Sequence, residues 1–238
     1  MWEIHGIYAA AGGNVDKHVN VANGCSLLAT QKISNHPMVQ WEKLMRTNIV
    51  VFVLLAAYSL CAEAQNAATE TARNTDQQQR IEQGLQSGQL STKEAGNLER
   101  QEQAVDRTEA RDMSKGPLTT QEKAQIQSEQ NHVSRDIYAD KHNAVTGNPN
   151  SASSRRLQAD VQRNVNQQAR INQGIRSGQL SNKEAGSLER GQAHVNGAEA
   201  GAAANGHVGN VEQSRIQGKE NVQSSRIYNK KHNDQERQ

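Results

Sequence analysis

The chain has 238 residues, with 27 Lys and Arg against 25 Asp and Glu and a formal net charge of +2. That near balance, with no long basic block and no acidic tail, argues against a nucleic-acid-binding protein. Both cysteines (Cys25, Cys61) precede residue 62, and only Tyr138 and Tyr228 are aromatic beyond it, so the rest of the chain has no disulfide framework, no thiol chemistry and a thin core.

Residues 1–44 show neither helical nor strand periodicity. Trp41-Glu42-Lys43 can only be encoded by a purine-rich stretch just ahead of the Met45 codon, where a bacterial ribosome-binding site would sit. The expectation is an extension that is untranslated or disordered. Residues 45–64 read as a signal peptide: a positive start (Met45-Arg46-Thr47-Asn48), 12 apolar residues at 49–60, and the small-x-small site Ala62-Glu63-Ala64 before Gln65. A membrane span needs about 20 residues, and Leu60 is too large to precede a lipid-modified Cys61. Cleavage near Ala64 predicts a periplasmic or secreted protein with no membrane span in its mature part, which carries 23 Lys and Arg against 21 Asp and Glu.

That mature part is a duplication. Residues 80–143 and 170–233 align without gaps, 90 residues apart, with 30 of 64 positions identical. The divisions are a lead-in at 65–76, helical repeat 1 at 77–143, a Gly/Asn/Pro/Ser linker at 144–154, and helical repeat 2 at 155–238. The predicted fold class is all-α, two tandem three-helix units.

Three helices are predicted per copy. The first, about 76–86, carries Ile81 and Leu85 on one face and closes at Ser87-Gly88. Ser91-x-x-Glu94 forms a capping box that opens the second, which turns Ala95, Leu98 and Val105 inward. Gly116-Pro117 breaks it, Thr119-x-x-Glu122 opens the third, and Ile126, Val133, Ile137 and Tyr138 share a stripe. So few apolar positions imply modest stability, with the unit needing its twin or a partner to complete a core.

Within each copy the turn Gly-x-[Leu/Val]-x-x-x-Glu recurs 28 residues apart, at Gly88, Gly116, Gly178 and Gly206. It resembles the second half of an EF-hand calcium loop, in which a glycine makes the turn and a glutamate closes the loop. The metal-site candidates are therefore Ser87, Glu94, Glu122, Ser177, Glu184, Asn205 and Glu212, and calcium is the ion such a loop would hold. The first half of each loop lacks the expected Asp and Asn, and helix capping accounts for the same residues.

The repeated Tyr-x-x-Lys-His-Asn ending makes Tyr138, Lys141, His142, Tyr228, Lys231 and His232 candidate interaction residues. Lys and His suit the negative end of a helix, Asn a left-handed stop, and Tyr a cover over the bundle end. The acid pair Glu94/Glu99 and its copy Glu184/Glu189 read as surface carboxylates, and no nucleophile, metallopeptidase or phosphate-loop motif is present, so no enzyme is expected. The pattern Arg-Ile-x-x-Gly-x-x-Ser-Gly-x-Leu-Ser-x-x-Glu-Ala-x-x-Leu-Glu resembles a group of small secreted helical repeat proteins of Gram-negative bacteria, which implies compartment and architecture. The functional expectation is a non-catalytic structural or protein-interaction module of the cell envelope with an unidentified protein partner. The alternatives are a calcium- or metal-responsive periplasmic protein and a Gln-rich stress-protective protein.

Overall fold

The computed structural model describes residues 67–233, so the 1–44 extension and the signal segment at 45–64 lie outside the described residues. Among these residues the fold is all-helical: α1 (67–87), α2 (Thr92–Met113), α3 (Thr120–Lys141), α4 (Ala152–Arg176), α5 (Asn182–Ala203) and α6 (Asn210–Lys231). No helix among them is long and apolar enough to cross a membrane.

Local chemistry sets the boundaries. Ser91, Thr119 and Ser181 sit in extended backbone, accept the amide of the residue three ahead, and receive that residue's glutamate on their own N–H. Each box satisfies two amides that a helix start leaves free. Gly88, Gly116, Gly178 and Gly206 all have positive φ, from 66° to 132°, where a side chain would be strained. The lead-in is longer and better ordered than its composition suggests. Residues 67–76 continue straight into the first helix, and α4 begins at Ala152 behind the Ser151 cap.

Packing then interlocks the copies. Helices α2 and α5 lie antiparallel: a Cβ on Gly96 would stand 2.5 Å from that of Ala203, and one on Gly186 3.0 Å from that of Met113. One apolar cluster joins Ile81, Leu85, Leu98 and Val105 of the first copy to Leu157, Val161, Ala203 and Ile216 of the second. The other joins Met113, Leu118 and Ile126 to Ile171, Ile175, Leu188 and Ile227. Each fully buried Leu or Ile contributes about 1.5–3 kcal/mol, and neither copy holds a complete cluster of its own.

Tyr138 departs from its predicted place on the apolar stripe. Ile126, Val133 and Ile137 are buried, but Tyr138 lies one residue, and so about 100°, past Ile137 and is 63% exposed.

Candidate metal centre

The facing stripes of α2 and α5 carry acids at core spacing. On α2, Glu99, Glu102, Asp106 and Glu109 follow one another at intervals of three, four and three residues, and all four are buried. The same spacing on α5 gives Glu189, Gln192, Asn196 and Glu199, also buried. This corrects the reading of Glu99 and Glu189 as surface carboxylates: both are fully buried beneath the opposing helix. Glu94 and Glu184 stay in their capping boxes.

At one end of this layer Asp106, Glu109 and Glu189 bring carboxylate oxygens within 4.8 Å of one another, the one such acid, His or Cys group among the described residues. Asn74 on α1 donates its amide to Glu109 at 2.9 Å, Gln130 on α3 to Glu109 at 3.2 Å, and Asn196 to Asp106 at 2.9 Å. The 90-residue shift turns this group into Asn196, Glu199 and Glu99, served by Asn164, which donates to Glu199 at 2.6 Å. Gln78 and Gln168 make matching 2.9 Å bonds to Glu99 and Glu189.

Between the two groups Glu102 has no donor at either oxygen and is 0% exposed. It stands one turn before Asp106 on the same face. Oε1 of Glu99 and Oε1 of Glu199 are also buried without a partner, and among the described residues every such buried side-chain atom but the Thr71 hydroxyl is a carboxylate or amide oxygen. The interior therefore holds more acceptors than donors. Buried oxygens in that state need a positive charge, from protons or from a cation.

The ionisation equilibria reflect this. Burial pushes Glu99 and Glu189 up to about 7, against the opposing hydrogen bonds of Gln78 and Gln168. Burial together with neighbouring carboxylates holds Glu102, Asp106, Glu109 and Glu199 well above the ordinary carboxylate range. A second pair in copy 2, Asp160 and Glu220, is raised to about 7 and about 8 by burial, and Arg163 at 3.3 Å from Glu220 does not offset that. Asp112 shows the contrast: Arg111 and Lys115, each at 2.8 Å, hold its carboxyl below its usual range.

The residues singled out from the sequence lie elsewhere. Glu94, Glu122 and Glu184 each accept their cap residue's N–H and hydroxyl, and Glu212 accepts the Gly209 N–H at 2.8 Å. Ser87 and Ser177 donate to the carbonyls of Gly84 and Gly174, and Asn205 accepts from the His207 amide. None of these belongs to the acid group. Tyr138 and Tyr228 stack on His142 and His232 at 4.2 Å, and each His Nδ1 lies 2.7 Å from the carbonyl of its Tyr. His142 and His232 end the helices, and the side chains of Asn143 and Asn233 donate to Glu94 and Glu184. Lys141 and Lys231 are half-buried, and Lys231 donates to the Arg170 carbonyl.

The acid layer had a signal in the sequence. Its acids Glu99, Glu102, Asp106 and Glu109 repeat at helical three- and four-residue intervals, as the apolar Ala95, Leu98 and Val105 do at three and seven. An acid at core spacing nevertheless reads as a solvated face. No family model, no curated protein and no solved structure matches the chain.

Proposed function

We propose that the chain is a non-catalytic, exported helical module of the bacterial cell envelope whose interior binds a hard divalent cation of the calcium or manganese kind. The observation that carries this reading is Glu102: fully buried, unpartnered at both oxygens, and one turn from the Asp106, Glu109 and Glu189 group. Several kcal/mol of desolvation per buried ion is the order of cost that a countercharge must offset. All the atoms on offer are carboxylate and amide oxygens, which suit calcium, manganese and magnesium over softer metals. Because Glu189 comes from α5 and the other two acids from α2, a bound ion ties one copy to the other. The signal-like segment at 45–64 supports the exported part of the reading.

Thermal unfolding of the chelator-treated protein at pH 7.5, with calcium, manganese or magnesium added, tests it. Saturation to about 100 times Kd stabilises a binding fold by about 2.7 kcal/mol, a rise in Tm of roughly 5–11 °C at about 2–4 °C per kcal/mol. Asp106→Asn with Glu189→Gln should abolish that rise, while Glu94→Gln and Glu184→Gln in the turns should leave it intact. An unchanged Tm with all three ions at millimolar concentration would refute the proposal. A protein partner is the second reading, supported by Tyr138 and Tyr228, which are 63% and 58% exposed at corresponding helix ends. Loss of captured envelope proteins on Tyr138→Ala with Tyr228→Ala is its test.

A further inference from the structure

The outer face between α5 and α6 carries a groove of about 530 Å³, lined by Gly191, His194 and Val195 of α5 and by Arg215, Lys219 and Arg226, among others, of α6. This volume lies in the range of small-molecule sites. Arg215, Lys219 and Arg226 bring three positive charges to the groove, and no acid lines it. Among the described residues none of Arg215, Lys219, Arg226 and His194 is ion-paired with a carboxylate.

The floor has an acceptor with nothing to accept. Gln223, 2% exposed, donates its amide to the Leu188 carbonyl at 2.8 Å, and its Oε1 is buried without a partner. Gly191 makes that position available, since a Cβ there would meet the Gln223 Oε1 at 1.9 Å. Gly218 has nothing within 4 Å of where a Cβ would stand, so the groove is open beside it. Arg226 is fixed by bonds to the carbonyl and hydroxyl of Ser187, at 3.1 and 3.2 Å, with further N–H groups to spare.

Copy 1 has none of this. Its residues at the corresponding positions are Gln101 and Ala104 on α2 and Gln125, Glu129, His132, Val133 and Asp136 on α3. There His132 lies 3.3 Å from Asp136 and Gln125 donates to Glu129 at 3.1 Å, so the face carries two carboxylates and neither Lys nor Arg at these positions. Copy 2 has exchanged an acid for a base at 219 and 226, added Arg215 and His194, and placed an amide in the floor.

We propose that this groove binds a soluble phosphorylated sugar or polyol. The phosphoryl group takes the guanidinium and ammonium donors, for which Arg has matching geometry. A hydroxyl of the ligand donates to the Gln223 Oε1, and its carbon skeleton lies against Val195 and the exposed Val222.

Calorimetric titration of the full protein with glucose 6-phosphate, inorganic phosphate, glucose and phosphatidylglycerol vesicles tests this, with the interior acids untouched. Glucose 6-phosphate should bind about tenfold more tightly than inorganic phosphate, and glucose should give no heat. Arg215→Gln with Lys219→Glu installs the copy 1 residues at exposed positions and should weaken both phosphate ligands at least about tenfold. Gln223→Val, again the copy 1 residue, should remove the advantage of the sugar while leaving inorganic phosphate unchanged. No heat from glucose 6-phosphate at millimolar concentration, equal affinity in the charge variant, or binding to the vesicles alone would each overturn the proposal.

Discussion

The two copies share a scaffold and differ in where they keep their charge. Copy 1 places four acids, Glu99, Glu102, Asp106 and Glu109, on its buried stripe, where copy 2 has Glu189, Gln192, Asn196 and Glu199. On the outer face the relation changes sign: copy 1 carries Glu129 and Asp136 where copy 2 has Lys219 and Arg226, with Arg215 beside them. The glycine turns, the Ser91/Ser181 caps and the Leu98/Leu188 positions are the same in both, while Thr119 gives way to Gly209. A duplicated unit can let such positions drift once its twin completes the core, because packing constrains shape and spacing more than it constrains the charge of each side chain.

The largest expected effect concerns the interior acids. Their folded-state pKa values lie above their unfolded ones, near about 4, so the folded state binds more protons. Their contribution to stability is full below pH 4 and is lost as pH rises through 7 to 8. Each tenfold displacement of such an equilibrium is worth about 1.4 kcal/mol, and several groups act together. In chelator the Tm should therefore fall from pH 5 to pH 8, and a divalent cation should flatten that slope. Asp106→Asn, which makes copy 1 like copy 2, should reduce the slope; Asn196→Asp should steepen it. A Tm that rises over this range would show that the acids are paired in some other way.

Next come truncations in the shared scaffold. Leu98→Ala and Leu188→Ala should each cost about 2–5 kcal/mol, with one denaturation transition in both variants. Two transitions would break the idea that the copies complete each other's core. Smaller still is the helix crossing. Gly96→Ala, where the new Cβ would approach Ala203 to 2.5 Å, should cost about 1–3 kcal/mol. Gly186→Ala should cost less, since its nearest approach, to the Met113 Cβ, is 3.0 Å, while both variants gain up to about 1 kcal/mol of helix propensity. The smallest effect separates the caps. Ser91→Ala and Ser181→Ala should each lose about 1 kcal/mol, while Gly209→Ser should gain a few tenths, because Gly209 lacks the side-chain bond that Thr119 makes in copy 1. Urea denaturation measures all of these.

The sequence by itself determined the duplication, the helical class, the turns and the caps. These depend on neighbours within four residues: a glycine at positive φ, a hydroxyl three residues before a glutamate, apolar side chains at helical spacing. The same local logic placed Ile81, Leu85, Leu98, Val105, Ile126 and Ile137 inside, where they are. Only the tertiary structure decided where the acids of α2 go. Whether Glu99 or Glu102 meets water depends on a helix 90 residues away, brought close by Gly96 and Gly186, and on amides supplied by Asn74, Gln78 and Asn196. The groove of copy 2 needed the fold for the same reason, since its rim joins residues of two helices about 20–35 positions apart. Helix period and capping are written in short stretches of sequence, but burial of charge is a property of the partner surface, and here that surface is the other copy.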